Sequence, residues 1–300
     1  MEPSDVDVVV VAYNSRDELR GCVAGPASAP GVHVAVIDNA SPDRSFEAVD
    51  DVEGVTVIRM PRNGGFAYGC NAGWRAGTSP HVLFLNPDAR IGVEDIRRLS
   101  SVLDADPRIG AVGPRIHHDD GSLDFSVRRF PRLRSTYAQA LFLHRVFPHA
   151  TWVDEPVRTP ESYDRAGTVE WISGACVLVR RTVLERIGGL DEGFFLYCED
   201  IDLCRRIADA GLQVRYEPGA RCVHIGGASA PRGSLLPVLA ASRVRYARIH
   251  RHPLAALAER VGIALGEVTH AFVGRGGRDA RMGHLRAAQA AIRGRAPSRL

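Results

Sequence analysis

Residues 5–41 read DVDVVVVAYNSRDELRGCVAGPASAPGVHVAVIDNAS. Two β-branched runs, Val6–Ala12 and Val32–Ile37, enclose a helical pattern near Ser15–Cys22. Each run ends in polar residues, Tyr13-Asn14 after the first and Asp38-Asn39-Ala40-Ser41 after the second. Unbroken Val/Ile runs alternating with helices are the mark of parallel strands shielded on both faces by crossover helices. The predicted fold class is therefore α/β, with a mainly parallel sheet.

The pattern continues outward through strands at Val55–Arg59 and His81–Leu85 and helical stretches near Arg44–Val49 and Phe66–Ala76. The fourth run ends in Asn86-Pro87-Asp88. Sheets of this kind bind ligands at the carboxyl ends of their strands, so these polar tips line one functional edge. A helix is predicted near Val93–Leu103. Residues 110–168 read as irregular, with Pro, His and Arg clusters, and a loop of that length suits acceptor contacts. A second ordered block, Val169–His224, holds a buried strand over Trp171–Val179, a short helix ending at Gly188-Gly189, an acidic segment, a helix to Gly211 and two strands. Two or three arginine-bearing helices follow Leu235. The expected organisation is a catalytic domain over 1–234, with a nucleotide-binding half at about 5–105 and an acceptor-binding half at about 106–234. An arginine-rich helical extension occupies 235–300.

At 300 residues, 45% hydrophobic and 24% charged, the chain has the composition of a folded globular protein, which excludes a fibrous or disordered class. A net charge of +3 gives no reason to expect nucleic acid. Every basic residue counted is arginine, and Arg243, Arg245, Arg248 and Arg251 recur near helical spacing, a pattern that suits an anionic lipid surface. The six cysteines form no CxxC pair, as expected of reduced thiols. No secretory leader and no long apolar span are read in the sequence. A cytoplasmic location is expected, with peripheral contact at the inner face of the plasma membrane and homo-oligomerisation both compatible with the sequence.

Several residues can carry chemistry. Asp38, at a strand tip, can accept the imide N–H of a pyrimidine, and it suits a helix cap as well. Asn63-Gly64-Gly65-Phe66 opens a helix that ends at a diphosphate or forms a structural turn. Asp88 can hold a hard divalent cation, Mg²⁺ or Mn²⁺, or simply complete a Pro-Asp turn. Glu199, Asp200 and Asp202 begin a helix, where carboxylates serve either the helix dipole or general-base catalysis. His224 ends a strand as a packed residue or as a further metal ligand.

In this order the motifs resemble the family-2 glycosyltransferases with a GT-A fold, and especially their bacterial rhamnosyltransferase-like branch, over roughly Asp5 to His224. The resemblance implies that Ala12, Tyr13, Asn14 and Asp38 line the nucleoside pocket, with Asn63, Gly65, Phe66 and Asn71 bordering the nucleotide. Asn86-Pro87-Asp88 looks like the DxD element with its first acid replaced, leaving Asp88 and Asn86 toward the donor. Gly174 and Ala175 resemble the acceptor-side turn, Asp200 the catalytic base, Glu199 its neighbour in the ED motif and on the acceptor side, and His224 a metal ligand with Asp88. The implied activity is inverting transfer of a sugar, rhamnose from dTDP-rhamnose first, from a nucleotide-diphosphate donor to a saccharide or lipid-linked saccharide in cell-envelope assembly. UDP-galactofuranose or UDP-GlcNAc as donor, and a natural product as acceptor, are the alternatives. A nucleotidyltransferase would show a Gly- and Arg-rich loop where Ala12-Tyr13-Asn14-Ser15 stands, and a non-catalytic sugar-nucleotide module would have no need of both Asp88 and Asp200.

Overall fold

The computed structural model describes residues 5–147, 150–226, 232–274 and 277–295. Contacts divide the chain into two units interleaved in sequence. The first comprises Met1–Arg128, Arg158–Gly193 and Glu199–Ser229; the second, Arg129–Val157, Phe194–Cys198 and Ala230–Leu300. This division differs from a single cut near residue 234.

In the first unit the strands are β1 (Val6–Ala12), β2 (Val32–Asp38), β3 (Val55–Arg59), β4 (His81–Leu85), β5 (Ala89–Ile91), β6 (Ile109–His117), β8 (Gly167–Val169), β10 (Cys176–Arg180) and β11 (Gln213–His224). They form one sheet in the order β3-β2-β1-β4-β10-β6-β11-β5, with β8 beside β11. Pairing is parallel from β3 to β4 and between β6 and β11, whereas β10 runs antiparallel to both β4 and β6. A separate ribbon pairs β7 (Val127–Arg128) with β9 (Trp171–Ile172). The sheet is thus mixed and mainly parallel, the GT-A arrangement expected.

Every residue of β1 and β4 is buried. Because side chains alternate across a strand, Val8 and Val10 join one core with Leu19 and Val23 of α1 (Arg16–Ala27) and Ile96, Leu99 and Leu103 of α3 (Val93–Ala105). Val9 and Val11 face the opposite way, onto α2 (Phe66–Ala76). There Gly69 and Gly73 let the helix sit close: a Cβ on either would lie 2.6 Å from Val11 and 2.3 Å from Val9.

Four expectations are corrected. The start of the segment expected to be irregular, residues 110–117, belongs to β6 (Ile109–His117), a strand between β10 and β11. The single strand expected over Trp171–Val179 is two, β9 and β10, separated by Ser173-Gly174-Ala175. The two strands expected before His224 are one, β11, with an irregularity between Glu217 and Arg221. The stretch Arg44–Val49 holds only a 3₁₀ turn, Ser45–Ala48.

The first unit also contains α6 (Arg181–Ile187) and α7 (Glu199–Asp209). In the second unit, α4 (Leu133–Ala140), α5 (Leu143–Val146), α8 (Arg232–His250), α9 (Pro253–Val273) and α10 (Arg278–Arg293) pack together. α4 belongs here because it docks on α9: the Thr136 hydroxyl donates to Glu259, and Tyr137 Oη donates to the Ala258 carbonyl at 2.8 Å. The arginines of α8 do not all face outward as their spacing suggested. Arg243 pairs with buried Glu155, and Arg251, just after the helix, pairs with buried Glu259 at 3.3 Å. No helix among the described residues is long and apolar enough to cross a membrane, and all six cysteines are free and buried.

Candidate active site

The parallel ladder aligns the tips of β1 and β2, with Ala12 opposite Asp38. Ala12 is fully buried, Tyr13 half-buried and Asn14 exposed in a left-handed conformation, φ 52°. A hydroxyl cluster fixes this corner: Asn14 N–H donates to Ser41 Oγ at 2.7 Å, Ser15 N–H donates to Ser45 Oγ at 2.9 Å, and both hydroxyls donate to Asp43. Asp38 is buried, and its Oδ2 accepts only a long 3.4 Å bond from Ser41 N–H. Its Oδ1 is buried without a partner among the described residues. Burial raises the Asp38 pKa, opposed by the Ser41 N–H and the Arg59 charge. An acceptor left bare at such a cost is suited to a donor brought by a ligand.

Asn39, next to it, is a hub that sequence reasoning missed. Its amide donates to Asn63 Oδ1 and to the Gly65 carbonyl, both at 3.0 Å, and its Oδ1 accepts from Gly64 N–H at 3.2 Å. Asn63 Oδ1 also accepts the Gly65 N–H at 3.0 Å, and Gly65, at φ 92°, caps α2 ahead of half-buried Phe66. These bonds tie the loop after β3 to the tip of β2. Asn71, expected to border the nucleotide, is bonded within the fold. Its amide donates to the Leu190 carbonyl and to Glu192 at 2.8 Å, and its Oδ1 accepts from Trp74 Nε1 and Leu190 N–H. With both ends of the amide committed, Asn71 clamps α2 to the segment after α6.

Beyond β4, Asp88 is buried, and its Oδ1 lies 3.3 Å from His224 Nε2 while its Oδ2 accepts the Gly226 N–H at 3.1 Å. Asn86 Nδ2 stands 3.2 Å from the same His224 nitrogen. On the other side of the ring, Nδ1 is 3.9 Å from Asp124. Burial raises the Asp88 pKa, but the hydrogen bonds and charge of His224, with the Gly226 N–H, more than compensate and leave it lowered. Burial likewise disfavours charge on His224, yet the hydrogen bonds to Asp124 and Asp88 lift it to about 9.

The donor set of Asp88 and His224 fits a divalent cation. Two ligands each about 2.1 Å from a metal and at right angles stand about 3.0 Å apart, close to the carboxylate-imidazole separation here. Among the described residues no three His, Cys, Asp or Glu side chains are grouped to enclose a metal. A hard cation that bridges substrate phosphates needs only one or two protein ligands, so such a cage is not required.

The break between β9 and β10 connects this corner to the carboxylates of α7. Asn86 N–H donates to the Ala175 carbonyl at 2.9 Å, and Gly174 N–H donates to Asp200 Oδ2 at 3.0 Å. Ile201 N–H donates to Asp200 Oδ1 at 2.8 Å, so each carboxylate oxygen accepts one backbone donor. Burial raises the Asp200 pKa against these two bonds and the nearby Arg128 charge. Glu199 is more deeply buried, with Oε2 lacking a partner among the described residues. Burial, with the adjacent Asp200 and Asp202 charges, pushes its pKa well above the usual range.

Asp124 and Arg128 were also missed. The Arg128 guanidinium stacks 5.3 Å from the Trp171 ring centroid and lies within electrostatic reach of both Asp200 and Asp124. Their only sequence signal was a polar alternation inside a segment read as irregular.

The mainly parallel sheet gathers polar strand tips along one edge, where sheets of this kind bind ligands. The sequence profile of Glycosyl transferase family 2 matches residues 7–188, and the chain belongs to that family and is a glycosyltransferase. An N-acetylglucosaminyl-diphospho-decaprenol L-rhamnosyltransferase of Mycobacterium tuberculosis is 32% identical over 238 residues, 72% of this chain and 75% of the relative. The dTDP-rhamnosyl transferase RfbF of Shigella flexneri is 25% identical, covering 82% of this chain and 78% of its own. Among solved structures, the mannosyltransferase PcManGT of Pyrobaculum calidifontis, in complex with GDP-Man and Mn²⁺, superposes with a TM-score of 0.55 at 18% identity, over 98% of this chain and 86% of that one.

Proposed function

We propose that the chain is an inverting rhamnosyltransferase, moving rhamnose from dTDP-rhamnose to a hydroxyl of a polyprenyl-linked saccharide in cell-envelope polysaccharide assembly. The observation that carries the reading is the corner in which the Ser173-Gly174-Ala175 turn binds Asp200 on one side and the Asn86 backbone on the other. It links a half-buried carboxylate, through that turn, to the strand end that leads to Asp88. The two rhamnosyltransferase relatives support the choice of sugar, and the mycobacterial one supports a lipid-linked acceptor.

In this reading Asp38 Oδ1 accepts the imide N–H of the thymine ring, with Ala12, Tyr13 and Asn14 bordering the nucleoside and Asn63, Gly65 and Phe66 shaping the loop beside it. Asp200 accepts the acceptor's hydroxyl proton as its oxygen attacks the anomeric carbon. The bond to the diphosphate breaks on the opposite face, so one displacement inverts the centre. Asp88 and His224 would hold a Mg²⁺ or Mn²⁺ ion, which when bound neutralises charge on the departing diphosphate. Gly174, Ala175 and Glu199 border the acceptor, with Glu199 beside the base.

The test is a mass-spectrometric comparison of dTDP-rhamnose, UDP-galactofuranose and UDP-GlcNAc with lipid-linked and soluble saccharides. Preferred turnover of dTDP-rhamnose onto the lipid-linked acceptor is expected, and preference for a UDP-sugar would replace the donor assignment. EDTA should abolish transfer and added Mn²⁺ or Mg²⁺ restore it, whereas Asp88→Ala should stay inactive at any cation concentration. Full activity of either sample would remove the metal role. Asp38→Ala should raise the donor KM roughly tenfold to a hundredfold, the loss of one charge-assisted hydrogen bond, while leaving kcat within a few-fold.

A further inference from the structure

α9 buries Ala256, Glu259, Gly262, Ile263 and Ala271 among its helical neighbours in the second unit. Its other side carries Leu254, Leu257, Val261, Leu265, Val268 and Phe272, three or four residues apart and 38–73% exposed. At about 100° per residue these six side chains fall within an arc of roughly 80°, forming one stripe about 27 Å long. A continuous apolar face of this size on a folded protein marks an interaction surface. No charged residue interrupts it.

The stripe's carboxyl end is framed by cations and aromatics. Arg281 stacks 4.7 Å from the Phe272 ring centroid, and Arg145 stacks 4.1 Å from that of Phe142, whose ring lies 4.5 Å from His270 of α9. Phe147 and Trp152, both exposed, lie together with ring centroids 6.0 Å apart in the same unit. The two units also differ in charge. The segments of the second contain 17 arginines against five acids, while those of the first contain 21 arginines against 30 acids. Of the five acids, Glu155 and Glu259 are buried against arginines and Glu267 is bonded to His284.

We propose that this face of α9 is a docking surface for an anionic phospholipid bilayer, with the helix lying in the headgroup plane and its leucines, valines and Phe272 entering the acyl boundary. Charge decides between lipid and a second copy of the chain. A self-association through α9 would press one strongly positive unit against another, whereas an anionic headgroup layer complements it. The helix lies flat because none of the described helices has the apolar length to span. The contact is assigned to α9, with Arg281 and Arg145 at its rim; Arg243 of α8 and Arg251 just after it are occupied by Glu155 and Glu259.

The experiment is co-sedimentation of the full chain with vesicles of phosphatidylcholine and phosphatidylglycerol, against phosphatidylcholine alone. The wild type should bind only the anionic vesicles, more weakly as salt rises. The double variant Leu257→Glu/Val261→Glu should bind about tenfold or more weakly, since affinity follows buried apolar area. Both sites are exposed, so circular dichroism and the thermal midpoint should be unchanged, and Arg281→Glu gives a second test with a smaller loss. A wild type that ignores phosphatidylglycerol overturns the proposal, as does a double variant that binds like the wild type. So does a wild-type dimer that the double variant converts to monomer with vesicle binding intact, which would assign the stripe to a second copy. Vesicle binding is measured without donor or acceptor, so failure here leaves the rhamnosyl assignment standing, and the converse holds.

Discussion

Asp200→Asn should lower turnover by about two to four orders of magnitude while donor affinity is retained, because a positioned base contributes that much and Asn cannot take a proton. The substitution preserves an oxygen for one of the two backbone donors, Gly174 N–H and Ile201 N–H, so the corner should keep its shape. Glu199→Gln is expected to be far milder. Burial and the neighbouring carboxylates already disfavour the charged form of Glu199, and Gln is a neutral group of nearly the same size. The pH profile separates the two further. A base works only when ionised, so kcat/KM should fall as pH drops through the Asp200 value, and burial sets that limb above the ordinary aspartate pKa of about 3.9. Stopped assays and isothermal donor titration on both variants decide the matter. An active Asp200→Asn beside an inactive Glu199→Gln would transfer the role to Glu199, and two active variants would end the mechanism.

Arg181→Met should be the most destabilising single change, costing about 3–5 kcal/mol as measured by urea unfolding, the usual penalty for stranding one member of a buried ion pair. Arg181 is buried at the start of α6, where it donates to Asp7 at 2.5 Å, to the Ser79 carbonyl at 2.5 Å and to the Trp74 carbonyl at 2.6 Å. Asp7 in turn accepts the Ser79 N–H and hydroxyl. One guanidinium thus ties β1, the end of α2 and α6 together beneath the sheet. Replacing it with a methionine of similar length leaves the Asp7 carboxylate in the core without its cation. The double variant Asp7→Leu/Arg181→Met should recover much of the loss, and no recovery would place the damage in the lost carbonyl bonds.

The parallel half of the sheet was legible because its strands are nearly pure Val, Ile and Leu and their tips are polar. β6 was not, since Gly110, Gly113 and Pro114 read as punctuation. In the fold Gly113 is what lets the strand pass Ile172, whose Cδ1 would stand 2.5 Å from an added Cβ. The same limit applies to the site. Asp38, Asp88, Asp200 and His224 lie at element ends that periodicity can locate, and the structure gathers the last three around one corner. Asn39 and Asn71 shared a residue type and a polar neighbourhood, yet one organises the loop and the other fastens a helix. Only contacts far apart in sequence, such as Asn71 with Leu190, distinguish them.

Tyr197 and Cys198, immediately before Glu199, both hold left-handed backbone, with φ of 69° and 67°. Each such residue other than glycine costs roughly 1–2 kcal/mol. A laboratory selection for heat tolerance alone should therefore drift toward glycine at these two positions, which relieves the strain. The survivors would enter α7 through a more flexible backbone. Directed evolution of this enzyme is thus expected to meet its conflict between durability and speed at Tyr197 and Cys198 before it meets one in the sheet.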